Sequence, residues 1–149
     1  MKQNEKDLLV KDLCARLPYE VKLGFYASAT KQTYICTLLG LEPQEDEPVI
    51  AKTENGSFYM LAGNVKPYLF PLSSMTEEQR QEFLFVAGYE RREEDCGRHT
   101  ETYYYDMVGH EHNFYPNSDA IDWLNKNHFD YRGLIEKSLA IDATNKGIY

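Results

Sequence analysis

Cysteine is scarce in this sequence, and the number of cysteines is odd. The three of them, Cys14, Cys36 and Cys96, are widely spaced along 149 residues. Small domains held by disulfides carry an even number of cysteines in a dense pattern. The sequence therefore excludes a disulfide framework and predicts reduced, partly buried thiols. Cys14 and Cys36 fall within a helical and a strand pattern, where we expect small core residues rather than nucleophiles.

Long apolar runs are absent as well. No stretch of the sequence approaches the roughly 20 apolar residues that span a bilayer. The first eleven residues are polar and charged, which is not the pattern of a secretory signal. We therefore expect a cytoplasmic protein with no membrane partner.

Positive charge is in deficit. The chain has 16 Lys and Arg against 24 Asp and Glu, and its net charge is −8. The longest basic run is Arg91-Arg92, and Glu93, Glu94 and Asp95 follow it at once. A negative field of this kind repels phosphate backbones. Duplex nucleic acid is therefore excluded as the expected partner.

Catalytic signatures are missing too. The sequence contains no G-x-S-x-G, H-E-x-x-H, P-loop or dinucleotide-binding fingerprint. Carboxylates are so abundant that no pair of them stands out as a general acid and base. An enzyme is not favoured.

The chain does contain periodic apolar residues, and its length fits one domain over residues 1–149. Val10, Leu13, Cys14 and Leu17 lie at helical spacing, which predicts a first helix that ends before Pro18. Asp12 and Arg16 fall within the expected polar remainder of this helix.

Four strands are predicted next, at residues 20–27, 33–41, 49–53 and 57–61, from alternating and β-branched residues. Asn55-Gly56 is a strong signal for a tight hairpin between the last two. Short turns between successive strands indicate an antiparallel meander or a small barrel. Residues 65–72 contain Pro67 and Pro71, so we expect an extended segment at a sheet edge.

Helical patterns dominate the remainder. Thr76 and Gln79 form a capping-box pattern before a helix at 77–87, with Phe83, Val86 and Ala87 on its inner face. A further helix is predicted at 119–126, and residues 129–141 also have a helical pattern. The expected fold class is α+β, with a small antiparallel sheet of four or five strands packed with three or four helices.

One pattern points to metal. Cys96 and His99 are spaced as C-x-x-H, and His110 and His112 as H-x-H. Four nitrogen and sulfur ligands in two close pairs can close a tetrahedral zinc site. The alternative is that these residues are solvated side chains of a polar loop. A zinc-dependent module or enzyme therefore stays open as a hypothesis.

A second pattern points to a binding surface. The chain has twelve Tyr, and Tyr and Arg are enriched at interface hot spots. The predicted ligand- or partner-binding residues are Arg91, Arg92, Arg98, Tyr103, Tyr104, Tyr105 and Tyr115. A protein partner is the first interpretation. A small nucleotide clamped between aromatic rings and Arg is the second, and tyrosines that merely close the core are the third.

Two stretches resemble a known group of proteins. They read VKPYLFPLSSMTEE at 65–78 and IDWLNKNHFDYRGLIEK at 121–137, and together they cover about a fifth of the chain. They are similar to segments of small uncharacterised proteins from gut Bacteroidales and their phages. The resemblance implies a phage or mobile-element protein in a bacterial host cell, and it brings no known activity. The function we expect is non-enzymatic binding to a host or phage protein.

Overall fold

The computed structural model describes residues 1–42, 50–59, 64–95, 97, 100–106 and 116–149. Along the chain, its main helices and strands are α1 (Gln3–Arg16), β1 (Lys22–Ala27), β2 (Gln32–Glu42), β3 (Ile50–Thr53), β4 (Gly56–Tyr59), β5 (Val65–Pro71), α2 (Glu77–Ala87), β6 (Tyr89–Asp95), β7 (Thr100–Asp106), α3 (Ser118–Lys126), β8 (Phe129–Asp130) and β9 (Ile141–Asp142). Short 3-10 turns follow α1 and β5. In this described part, no helix is both long and apolar enough to cross a bilayer.

These residues form two compact units. The larger unit consists of Met1–Ser74 and Asn125–Tyr149, and the smaller unit is Met75–Leu124. The single domain expected over residues 1–149 stays a prediction.

The sheet of the larger unit corrects the predicted architecture. Strands β1 to β4 form the expected antiparallel meander, but the sheet has seven strands in the order β4-β3-β2-β1-β5-β8, with β9 also paired to β5. Both β8 and β9 run parallel to β5, and β6 and β7 form a separate two-stranded sheet. The α+β class is right, but the small antiparallel sheet of four or five strands is wrong. Two-residue strands such as β8 and β9 are too short to show any alternation in sequence.

The two prolines of β5 predict a strand at a sheet edge, and this prediction is wrong. Its first half pairs with β1 and its second half with β9 and β8. Pro67 is the last β5 residue of the ladder with β1, and Pro71 is the last of the ladder with β8. A missing N–H costs least at the end of a ladder, so this strand tolerates both prolines inside the sheet.

Helix α1 buries a different face from the one predicted. Its buried residues are Leu9, Asp12, Leu13 and Arg16, while Cys14 is exposed. The buried positions have helical spacing, but two of the four are charged. The apolar residues that predict the inner face each lie one position further along the helix than the residues that are buried. Cys36 is buried as expected, at 2% exposure.

The helical pattern at residues 129–141 is also wrong. Both carboxylate oxygens of Asp130 accept backbone N–H groups, from Leu134 at 2.9 Å and from Ile135 at 2.8 Å. Gly133 and Ser138 have φ of 68° and 58°. A left-handed residue interrupts a helix, so the segment folds as successive turns between β8 and β9. Leu134, Leu139 and Ala140 nevertheless join the core.

The helices predicted at 77–87 and 119–126 are confirmed as α2 (Glu77–Ala87) and α3 (Ser118–Lys126). α2 has the predicted bounds and capping box, in which Thr76 and Gln79 bond reciprocally. It ends at Gly88, with φ of 79°. Its buried residues are Leu84 and Ala87, so the inner face differs from the predicted set of Phe83, Val86 and Ala87.

Candidate functional site

The antiparallel pair β6–β7 gathers most of the predicted binding residues. Arg91 lies opposite Tyr104, Arg92 opposite Tyr103 and Glu90 opposite Tyr105. Residues directly opposite in an antiparallel pair project to the same face, and neighbours along a strand project to opposite faces. The pair therefore has two chemically different faces.

One of these faces, called the tyrosine face here, carries Glu90, Arg92, Tyr103 and Tyr105. The ring centroids of Tyr103 and Tyr105 are 6.4 Å apart. The Arg92 guanidinium lies 4.8 Å from the centroid of the Tyr105 ring and donates to Glu90 Oε2 at 2.9 Å. Cation–π contact and the ion pair hold the Arg92 side chain in place. All four side chains are half-buried or exposed.

The other face of the pair meets α2. Tyr89, Arg91 and Glu93 line a groove of about 600 Å³ with Glu77, Gln81, Leu84 and Phe85 of α2, and Glu90 also contributes to the lining. The α2 residues are spaced four, seven and eight positions apart, which is one stripe of a helix. Leu84 is 8% exposed at the base of this stripe, whereas Phe85 is 72% exposed.

The groove is electrostatically negative. Its lining contains Glu77, Glu90 and Glu93 against one cation, Arg91. Glu90 is paired with Arg92 of the tyrosine face, and Arg80 Nε lies 3.6 Å from Glu77 Oε2. Residues 75–124 as a whole nevertheless contain 12 Asp and Glu against 4 Arg and no Lys. Arg91 forms a short ion pair with Glu93, and its Nη1 lies 3.7 Å from Glu77 Oε1. The side chains of Glu77 and Glu93 remain 57% and 53% exposed. Carboxylates with this much solvent contact leave a net negative rim around an apolar base.

Asn117 braces the helix that forms one wall. Its side-chain oxygen accepts the N–H of Ala120 at 2.8 Å, which caps α3. Its Nδ2 donates to the carbonyl oxygens of Val86 and Ala87 at 3.4 and 3.3 Å, at the end of α2. Phe83 and Trp123 also pack with ring centroids 5.5 Å apart. These contacts fix the C-terminal end of α2, where Leu84 and Phe85 line the groove.

The remaining predicted site residues cannot be placed. Arg98, Tyr115 and the four predicted zinc ligands Cys96, His99, His110 and His112 lie outside the described residues. Within the residues that are described, no group of three or more His, Cys, Asp or Glu could hold a metal ion. The zinc hypothesis therefore stays a prediction.

Sequence reasoning missed the α2 side of the groove. A signal for it was present, because residues 83–87 are five consecutive apolar residues on a helix. A helix cannot turn five successive residues towards one core, so at least one must face outwards. Phe85 is that residue.

A second ionisable cluster lies in the larger unit. Arg16 donates to both carboxylate oxygens of Asp12, from Nε at 2.7 Å and Nη2 at 3.1 Å. Nη2 also donates to the carbonyl of Phe129 at 2.8 Å, and Arg132 Nε lies 3.2 Å from Asp12 Oδ1. Asp12 and Arg16 have 0% exposed side chains. The hydrogen bonds of Arg16 hold α1 against β8, whereas the buried Nε of Arg132 has only this ion-pair contact and no hydrogen bond of good geometry.

His128 lies beside this cluster in a strained backbone position, with φ of 58°. Its ring stacks on Tyr149 at a centroid distance of 3.9 Å. The Tyr149 hydroxyl accepts from the N–H of Lys22 and donates to the carbonyl of Tyr68. Burial, with Arg16 and Lys22 nearby, lowers the pKa of His128 to about 4, and burial raises the pKa of Tyr149 to about 12. Both rings are therefore neutral at pH 7, as packing requires, and neither is poised for proton transfer there.

Comparison of the chain with protein-family models, with curated protein sequences and with solved structures finds no match in any of the three.

Proposed function

We propose that this chain is a non-enzymatic protein-binding module that recognises a host or phage protein through the tyrosine face of β6–β7. The observation that carries the proposal is the alignment of Arg92, Tyr103 and Tyr105 on one face of a two-stranded sheet. Tyr and Arg contribute large contact area at low entropic cost, and both are enriched at interface hot spots.

The contacts within this face support the proposal. Arg92 contacts both Glu90 and the Tyr105 ring, which favours one conformation of its side chain before any partner arrives. Preorganisation reduces the entropy lost on binding. The rings of Tyr103 and Tyr105 are half-buried, so part of each residue remains exposed to a partner.

The alternative of a small nucleotide is less well supported. The groove that adjoins this strand pair has three carboxylates and one guanidinium in its lining. That balance disfavours phosphate groups. A thermal-shift screen against nucleotides checks this alternative, because a ligand at about 100 times its Kd stabilises the folded chain by ~2.7 kcal/mol.

The test uses the full chain as bait in lysates of Bacteroidales cells, with and without phage infection. The variant that alters the tyrosine face of β6–β7, called the hairpin variant below, carries Arg92→Ser, Tyr103→Ser and Tyr105→Ser. The matched control carries Tyr26→Ser and Tyr34→Ser, which remove two tyrosines that are 48% and 42% exposed in the larger unit. We expect a protein that the wild type and the control both recover and the hairpin variant loses. Recovery of nothing specific, or recovery that the hairpin variant retains, contradicts the proposal.

A further inference from the structure

The groove between α2 and β6 is a surface distinct from the tyrosine face. It is formed by the opposite face of β6 and by the stripe of α2 that contains Glu77, Leu84 and Phe85. Its volume of about 600 Å³ is in the range of sites that bind ligands. A ring exposed to 72%, as Phe85 is, has most of its apolar surface available for burial by a partner.

From these features we infer that the groove binds a cationic segment of another protein, in which an apolar or aromatic side chain sits between Lys or Arg residues. The apolar anchor contacts Leu84 and Phe85. The flanking cations meet the carboxylates of Glu77 and Glu93. This inference shares with the proposed function the assumption of a protein partner, but it rests on different residues.

Charge complementarity selects this occupant. Glu77 and Glu93 already pair with Arg91, and Glu77 also accepts from Gln81 Nε2 and lies 3.6 Å from Arg80 Nε. The side chains of both glutamates nevertheless remain more than half exposed. Each carboxylate has about four acceptor positions, so the exposed part of each can accept a further donor from a partner. Exposed charges steer the approach of an oppositely charged segment and fix its register.

A second copy of this chain fits the groove poorly. Each copy carries a net charge of −8, so two copies repel each other across an acidic rim. An anionic peptide meets the same repulsion. A neutral apolar ligand would leave the carboxylates without any role in affinity.

The test is a selection of random peptides displayed on phage against the full chain, with the Phe85→Ser variant used for counter-selection. We expect the enriched peptides to combine Lys or Arg with a Leu, Phe or Trp anchor. One enriched peptide is then synthesised with a fluorescent label, and its Kd is measured by anisotropy at low and at physiological salt. Affinity should fall as salt rises, because exposed charges are screened.

Two variants and two controls define the site. Phe85→Ser should weaken the labelled peptide at least about tenfold, whereas Leu39→Ser, at a residue 64% exposed in the larger unit, should not. Glu77→Gln with Glu93→Gln should weaken binding and flatten its salt dependence. The control variant Glu78→Gln, Glu82→Gln removes the same amount of charge from α2 at positions outside the groove lining. It should leave the peptide affinity and its salt dependence nearly unchanged.

Three results overturn the inference. They are enriched peptides without net positive charge, binding that Phe85→Ser does not weaken, and a selection that yields no binder dependent on Phe85. The Arg92, Tyr103 and Tyr105 variant is measured in parallel. If it loses the lysate partner but keeps the peptide, the two surfaces act separately, so failure of one proposal does not decide the other.

Discussion

A completely buried ion pair in the larger unit contrasts with the exposed ion pairs of β6 in the smaller unit. In the larger unit, the side chains of Asp12 and Arg16 are completely buried and bonded to each other. In the smaller unit, the side chains of Arg91 and Arg92 are 33% and 51% exposed, and their carboxylate partners are more than half exposed. Exposed pairs add about 0–1 kcal/mol to stability, whereas breaking a buried pair costs about 3–5 kcal/mol.

This difference teaches where the chain depends on its charges. Asp12 and Arg16 are part of the folding of the larger unit, because neither can be removed without leaving the other buried. The ion pairs of β6 add little to the fold, so their substitution should affect the proposed recognition more than stability. Substitutions in the two units should therefore separate loss of stability from loss of binding.

The largest effect is expected for Asp12→Asn in the larger unit. The amide removes the only carboxylate that these contacts give to Arg16 and Arg132, and its NH₂ group opposes a guanidinium donor. We expect the free energy of unfolding to fall by about 3–5 kcal/mol, measured by urea denaturation followed with far-UV circular dichroism.

The matched control is Asp7→Asn on the same helix, whose carboxylate accepts only an exposed bond from Gln3 in this structure. It should change stability by less than about 0.5 kcal/mol. If Asp12→Asn costs no more than the control, the buried cluster does not hold the larger unit together, and the contrast between the units is lost.

Local signals in the sequence were enough to predict much of this fold. The hairpin at Asn55-Gly56 and the capping box of Thr76 and Gln79 depend on neighbouring residues, and both are present in the structure. Pairing between distant residues was not predictable in the same way. The buried Asp12 and Arg16 resemble a solvated i, i+4 pair in sequence, because the residues that they contact beyond α1, Phe129 and Arg132, are far along the chain.

The candidate site stays a hypothesis, and the sequence indicated its residues but not their geometry. Composition alone indicated Arg91, Arg92 and the three consecutive tyrosines. Their division between two faces required the register of β6 against β7, which composition cannot give. The α2 wall of the groove does not follow from the predicted inner face of Phe83, Val86 and Ala87, because an apolar residue such as Phe85 gives no sign in sequence of which way it faces.

A smaller effect is expected when the free energy of unfolding is measured as a function of pH, because of His128 in the larger unit. Its pKa is lowered to about 4 by burial and by Arg16 and Lys22, while the unfolded chain has an ordinary value of ~6.5. Between these values the unfolded state binds more protons, so stability is complete above pH ~6.5 and declines as pH falls towards 4.

The measurement compares wild type with His128→Asn, since Asn tolerates the left-handed backbone at this position. The difference in the free energy of unfolding between the two proteins should shift by roughly 1–2 kcal/mol between pH 7 and pH 4.5, allowing for partial solvent contact of the ring. A difference that does not vary with pH contradicts the lowered pKa of His128.

In the smaller unit, Thr76→Ala should cost about 1 kcal/mol. The change removes the acceptor for the Gln79 N–H at 3.2 Å and half of the capping box. Trp123 is the only tryptophan of the chain and packs on Phe83 of α2, so its fluorescence during urea denaturation reports on this unit. Thr30→Ala, at an exposed turn of the larger unit, serves as control and should leave the Trp123 transition in place.

The smallest effect on stability is expected for Phe85→Ser. Substitution of the neighbouring Leu84 by Ser should be severe. Ser and Phe have similar helix propensities, so the change isolates the contacts of the ring. Because Phe85 is 72% exposed, we expect less than about 0.5 kcal/mol, whereas Leu84→Ser, at 8% exposure, should cost roughly 2–4 kcal/mol. Urea denaturation followed through Trp123 measures both. A cost above about 1 kcal/mol for Phe85→Ser would mean that the ring already packs within the folded chain, and a residue used in that way is not available to a partner.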